Sequence, residues 1–222
     1  DPRWLEFDPV RLLDPAYLAE RRALIGGEAR IPEAGAPKDS GTVYLCTADG
    51  EGNMVSYIQS NYQGFGSGVV VPGTGIALHN RGYGFSLDPK SPNFLQPGKR
   101  PFHTLIPGFL SKDGKPLGPF GVMGAAMQPQ GHMQVLSNLI DQQMNPQAAL
   151  DEPRFMWTGG KRVIVEPGTP EAVAAALARK GHEIEYSLSR WPFGRGQMIL
   201  RTGDGTLAGA TEPRADGAVA AW

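Results

Sequence analysis

The chain is 222 residues long, 41% hydrophobic and 19% charged, with 21 Lys and Arg against 22 Asp and Glu. That length buries a core in one domain, or in one domain plus an appendage, and a formal net charge of −1 gives no electrostatic ground for a nucleic-acid or membrane-surface partner. No apolar run approaches the length of a bilayer span, and a single cysteine, Cys46, excludes an internal disulfide.

The chain starts at Asp1 in ordinary globular sequence, without methionine or signal peptide, and reads as a piece of something longer. Cytoplasmic and exported placements both stay open. The first predicted element is a helix over residues 14–25, with Asp14 as N-cap and Pro15 in its first turn. Gly26 and Gly27 end it, and 28–41 reads as an exposed loop. Strand patterns then cover 43–48, 54–61, 68–71 and 75–79, broken by turns such as Asp49–Gly52 and Pro72-Gly73. Cys46 lies in the first of these and reads as a small buried hydrophobe. Residues 86–101 form a Pro- and Asn-containing loop, and 105–110 pairs with 118–123 across Lys112-Asp-Gly-Lys115. Between 129 and 150 the apolar spacing turns helical, through Met133, Leu136, Leu139 and Ile140. A strand at 162–165, a helix from Thr169-Pro170 to Lys180-Gly181, and strands at 182–187, 197–201 and 206–210 complete the order. Strands, helices, then strands again predict an α+β fold with layered sheets.

Thr42 is the residue that matters most for chemistry. It follows Gly41, where the exposed loop gives way to the strand pattern. Cutting the Gly41–Thr42 bond would give one residue a hydroxyl nucleophile and an α-amine, whose pKa of roughly 7.7–8.0 suits a general base. Threonine activated by its own terminal amine is an established type of nucleophile. By strand propensity alone, Thr42 is an ordinary strand threonine.

Several stretches, in order, change that reading: Thr42…Asp49-Gly-Glu-Gly-Asn53, Gly64-Phe-Gly-Ser-Gly68, Gly73-Thr-Gly-Ile76, Gly98-Lys-Arg-Pro101, Lys112-Asp113-Gly114, Ala148-Ala149-Leu150…Pro153-Arg154-Phe155 and Gly205…Gly209-Ala-Thr-Glu-Pro-Arg214. Together they resemble the γ-glutamyltranspeptidase family of N-terminal nucleophile hydrolases, across essentially the whole chain. The resemblance implies a four-layer αββα sandwich, incomplete without a large subunit. It makes residues 1–41 the tail of that large subunit with an exposed pre-cleavage loop, and residues 42–222 the small catalytic subunit, cut from one precursor at Gly41–Thr42. Glycine at position 41 tolerates unusual backbone angles near such a cut. The implied chemistry is cleavage of γ-glutamyl or related N-acyl amides through a Thr42 acyl-enzyme, released by water or by an acceptor amine, with no cofactor and no metal.

The resemblance also carries site residues. Ser60 matches a hydroxyl that hydrogen-bonds the nucleophile, usually a threonine; on its own it reads as a strand serine. The stretch Gly124–Gly131 stands at the family's oxyanion loop, where the alignment gives the amides of Met127 and Gln128 to the developing oxyanion; otherwise it reads as a helix N-terminus. Substrate-binding positions fall on Tyr62, Arg81, Gly84, His103 and Thr104. These depart from the glutathione-processing pattern: Gly84 replaces an acid that holds the substrate α-ammonium, Arg81 an amide side chain, Tyr62 an asparagine, and His103-Thr104 a serine pair. The loop between Phe85 and Lys99 is shorter as well. Removing a carboxylate and adding Arg81 predicts weak use of authentic γ-glutamyl donors and makes glutaryl amides plausible donors. A cephalosporin (glutaryl) acylase-like enzyme is therefore the alternative within the class, and an inactive unprocessed fragment or assembly subunit the alternative outside it. His79, His132 and His182 lack metal-ligand spacing, and Gly64–Gly68 lacks the Lys-Ser/Thr of a phosphate loop.

Overall fold

The computed structural model of the chain describes residue 3 and residues 8–31 and 41–222. Residues 32–40, most of the predicted pre-cleavage loop, lie outside the described residues. Helix α1 (Pro15–Ala23) starts where the sequence places it: the Asp14 carboxylate accepts from the amides of Ala16 and Tyr17 at 2.8 and 3.2 Å. Its continuation is tied to the far end of the chain, with the Ala29 amide donating to the Lys180 carbonyl.

Strands β1 (Gly41–Ala48) and β2 (Met54–Tyr62) form an antiparallel hairpin. Asp49 closes it, accepting from the amides of Glu51 and Asn53. A second, wholly antiparallel sheet has the order β3 (Gly108–Lys112), β4 (Lys115–Met123), β8 (Arg195–Arg201), β9 (Leu207–Thr211). Between its halves run α2 (Met127–Ile140), α3 (Pro146–Asp151), and a third sheet of β5 (Phe155–Gly159), β6 (Arg162–Val165) and β7 (Glu183–Tyr186). The β6–β7 pair is parallel, which requires a crossover, and α4 (Glu171–Arg179) supplies it.

The pleat of β4 and β8 sorts the layers. Phe120, Val122 and Met198 point to one face and pack with Val135 of α2, Leu150 of α3 and Ala210 of β9 into the core. Burying such a side chain is worth about 1.5–3 kcal/mol. The other face receives the hairpin: a Cβ on Gly121 would lie 2.5 Å from the Tyr44 ring, so only glycine lets β1 approach this closely. The result is an α+β arrangement of helices, sheet and second sheet. The outer face of the hairpin leaves Val43, Leu45, Val55 and Tyr57 exposed, consistent with a sandwich that other residues complete.

Several predicted boundaries move. Residues 68–71 and 75–79 are not strands; one isolated bridge, Val70–Ala77, joins them. Gly68, Gly73 and Gly75 all sit at positive φ and turn the chain before a ladder can extend. β3 begins at Gly108, after Pro107, which has no amide to donate. The single helical stretch expected over 129–150 is two helices, because Asn145 caps a new one through the Ala148 amide with Pro146 at its start. β5 was not foreseen. Among the described residues no helix is long and apolar enough to cross a membrane.

Candidate functional site

Thr42 lies at the start of β1, directly opposite Ser60 of β2 in the ladder. Alternation fixes which way both side chains face. Tyr44 is buried while Val43 and Leu45 are exposed, so Thr42 and Ser60 share the inward face, toward β4. The register slips between Gly41 and Thr42, and Tyr62 adopts φ 77° just beyond. There the Tyr62 amide donates to Ser60 Oγ at 2.9 Å. The hydroxyl proton of Ser60 is thereby directed to a different acceptor.

The expected substrate residues gather around Arg81, which is only 6% exposed. Its Nη1 donates to Thr104 Oγ1 at 2.5 Å, its Nη2 donates to the Ser60 carbonyl at 3.3 Å, and the guanidinium lies 5.5 Å from the Tyr62 ring centre. Burial lowers the Arg81 pKa below its ordinary value. Burial, and then the Arg81 charge, lower that of the neighbouring His103. Gly84 faces the Tyr62 hydroxyl, 3.9 Å from where its Cβ would be, and its carbonyl accepts from Asn93 Nδ2. Arg81 is therefore a brace between the end of β2 and Thr104, with two of its nitrogens already committed. That geometry favours a positioning role for it over an open anion receptor.

Gln128 extends the brace. It is 1% exposed, and its Nε2 donates to the Thr104 carbonyl at 3.0 Å while its Oε1 has no hydrogen-bond partner among the described residues. Its backbone does something other than expected. The Met127 amide donates to the Gly124 carbonyl at 2.8 Å and the Gln128 amide to the Ala125 carbonyl at 3.1 Å, so both are used inside the turn that opens α2. The amides of Gly124, Ala125 and Ala126 donate to no described residue. Gly124 sits at φ 140° and Ala125 at φ 50°, a conformation an alanine rarely adopts. These amides crown a 14-residue helix, whose N-terminus favours negative charge. The sequence signal for this turn is Gly124 itself, at the junction of β4 and α2.

On the other side of Thr42, a cavity of about 650 Å³ is lined by Thr42, Met123, Trp191, Arg195 and the segment 213–216. That segment is held from behind by four buried charges that sequence reasoning left without a role. Glu212 accepts from Arg154 Nη2 at 2.8 Å, from Arg214 Nη1 at 2.5 Å and from the Gly196 amide at 2.7 Å. Glu166 takes two bonds from Arg214 and one from the Arg154 amide. The four lie on three segments, at 154, at 166 and at 212–214, and only the fold brings these together. Among the described residues no cluster of His, Cys, Asp and Glu could hold a metal ion.

Comparison with known proteins follows the same lines. The family model described as gamma-glutamyltranspeptidase matches residues 1–222. A solved cephalosporin acylase from Bacillus halodurans superposes with a TM-score of 0.93 at 60% identity, covering 100% of this chain and 41% of that one. A glutathione hydrolase-like proenzyme of Bacillus subtilis is 39% identical over 98% of this chain and 42% of its own length. The gamma-glutamyltranspeptidase of Pseudomonas nitroreducens complexed with L-DON superposes with a TM-score of 0.70 at 26% identity, covering 81% of this chain and 98% of the matched one. The chain thus spans about two-fifths of the length of the first two relatives.

Proposed function

Because the chain belongs to the gamma-glutamyltranspeptidase family, we propose that it is the C-terminal part of a proenzyme cut at Gly41–Thr42, and that Thr42 then attacks N-acyl amides. The observation that carries this reading is the place of Thr42: first in β1 after Gly41, facing inward, opposite Ser60. Residues 42–222, about four-fifths of this chain, match in extent the share covered by the separate chain of the Pseudomonas enzyme. The preceding residues then belong to the large subunit, which is the partner.

In the reaction, the Thr42 α-amine takes the Oγ proton as Oγ attacks the substrate carbonyl. The amine passes the proton to the leaving nitrogen, and an ester to Thr42 remains. Ser60 hydrogen-bonds the nucleophile. We assign the oxyanion to the amides of Gly124, Ala125 and Ala126 rather than to those of Met127 and Gln128, which the α2 turn consumes. A preorganised donor of this kind is worth about 3–4 kcal/mol. Water or an acceptor amine releases the acyl group.

Acyl selectivity follows from Gly84 and Arg81. With glycine where an ammonium-binding acid would stand and a buried cation nearby, an α-ammonium gains little, and glutaryl-type acyl groups are favoured over γ-glutamyl ones. The test is hydrolysis of γ-glutamyl and glutaryl 4-nitroanilides by the processed enzyme, with Thr42→Ala as control. Faster glutaryl cleavage that depends on Thr42 is expected. Preference for γ-glutamyl would overturn the selectivity, and full activity in the Thr42→Ala variant would overturn the mechanism.

A further inference from the structure

The proposed reaction needs two parts of the site at a fixed separation. Thr42 Oγ attacks from the end of β1, and the amides of the Gly124–Ala126 turn receive the charge that the attack creates. The hairpin rests on β4 where Tyr44 meets Gly121, two residues inside the catalytic end of β1. Near that end, side chains join the two parts.

Ser60, opposite Thr42 in the ladder, gives its carbonyl to Arg81 Nη2 at 3.3 Å. Arg81 Nη1 donates to Thr104 Oγ1 at 2.5 Å, and the carbonyl of the same threonine accepts from Gln128 Nε2 at 3.0 Å. Nε2 also reaches the Ala125 carbonyl at 3.4 Å, to which the Gln128 amide donates at 3.1 Å. Each link depends on a side chain, and the two long ones, Arg81 and Gln128, are 6% and 1% exposed. The path ends on the residue that the turn holds at φ 50°. A carbonyl and the amide that follows it share one rigid plane, so the two donors on the Ala125 carbonyl also fix the direction of the Ala126 amide. Stability does not account for a glutamine at 128. Its Oε1 is buried and has no hydrogen-bond partner among the described residues, a penalty that an apolar side chain of similar size avoids. What glutamine adds is the pair of bonds from Nε2.

We propose that Gln128 is a positioning residue: through Thr104 and Arg81 its carboxamide ties the amide-bearing turn to Ser60, and so sets the distance from Thr42 Oγ to the Ala126 amide. This deepens the proposed function and rests on the assignment of Thr42 as nucleophile. Thr104 gives both its hydroxyl and its carbonyl to the tie, which makes it a positioning residue as well.

The test uses the processed full-length enzyme and the acyl 4-nitroanilide selected above, with kcat counted per mole of Thr42 N-terminus. Gln128→Met, Thr104→Val and Arg81→Met each cut the tie at one place. Each is expected to lower kcat about tenfold with KM within about twofold of the parent, the scale of a sub-ångström misplacement. The double variant Gln128→Met/Arg81→Met is expected to lose no more than the worse single one, because groups that act as one unit are not additive. Thr104→Ser keeps the hydroxyl and is expected to stay within about twofold of the parent. Losses that multiply to about a hundredfold in the double variant overturn the proposal. So does a pure KM effect in Thr104→Val, which would make Thr104 a substrate contact, or a Gln128→Met enzyme that melts lower but keeps its kcat. A folded Gln128→Met chain with no Thr42 terminus overturns it too, since it would move the tie to the cleavage step. If Gln128→Met does not fold, the contrast between Thr104→Val and Thr104→Ser, at a half-buried position, decides in its place. Hydrolysis by the parent and its loss in Thr42→Ala report on the nucleophile separately: with both observed, additive losses remove the tie alone, and without them the nucleophile assignment falls.

Discussion

Glu212→Gln is the most informative perturbation of the scaffold behind the site, because it changes charge and almost nothing else. The Glu212 carboxylate accepts from Arg154 Nη2, Arg214 Nη1, the Gly196 amide and, at 3.3 Å, the Arg214 amide. Its side chain is 0% exposed, and those of Arg154 and Arg214 are 1% and 0% exposed. A glutamine must turn an NH2 group toward one pair of donors, replacing attraction with repulsion, and it leaves two buried arginines sharing Glu166 alone. Breaking a buried pair in this way costs about 3–5 kcal/mol. Unfolding entropy grows with length, so in a processed enzyme about two and a half times longer than this chain, as its relatives are, each kcal/mol is worth roughly 1 °C in Tm, and the expected loss is on the order of 3–5 °C. Differential scanning calorimetry of the processed enzyme measures it, alongside hydrolysis of an acyl 4-nitroanilide. Activity should fall even well below the new Tm, since Glu212 immediately precedes the segment that lines the Thr42 cavity. A Glu212→Gln enzyme that melts within a degree or two of the parent and keeps its kcat would refute the role assigned to this cluster.

Other predictions concern single contacts. His132 is buried and its Nε2 accepts from the Val122 amide at 2.9 Å, and its pKa is pushed down to about 4, chiefly by burial. A histidine held neutral by the fold stabilises it fully above the unfolded pKa of roughly 6.5 and loses that contribution as pH falls through about 4, some 3 kcal/mol in all; denaturant titrations between pH 7 and 4 should show this slope, reduced in His132→Gln. Gly121→Ala places a methyl 2.5 Å from the Tyr44 ring; overpacking of this kind costs about 1–3 kcal/mol, and urea denaturation should register it together with a lower kcat as β1 shifts Thr42. Ala125→Gly should match or exceed the parent in both Tm and kcat, whereas Ala125→Val should lower both, because the φ of 50° is hardest on a β-branched residue. Arg81→Met is expected to lower kcat more than it raises KM, since Arg81 braces Ser60 and Thr104; steady-state kinetics showing a pure KM effect would return it to direct substrate binding.

What could be read in the sequence was what local chemistry decides. Asp14-Pro15 announced α1, alternation around Tyr44 announced β1, and the Asp49–Gly52 turn announced the hairpin. Family resemblance added the pairing of Thr42 with Ser60 and the neighbourhood of Tyr62, Arg81 and Thr104. Tertiary context decided the rest. Residues 68–79 carry strand-forming side chains but have no neighbour to extend a ladder, while Phe155–Gly159 becomes a strand because Val163 and Val165 pair with it. That the Met127 and Gln128 amides are bonded inside the turn opening α2 was not legible, because which amides a helix start consumes depends on backbone bonds that no side chain reveals. Arg154, Glu166, Glu212, Arg214 and Arg195 look like ordinary charges until burial and partners are known.

The most direct test of the central claim is intact mass with N-terminal sequencing of the full-length precursor after purification, compared with its Thr42→Ala variant. The account predicts two species from the wild type, the smaller beginning Thr42-Val43-Tyr44, and one uncut species from the variant. A single uncut wild-type chain that nonetheless cleaves acyl anilides, or a new terminus at any other residue, would contradict it.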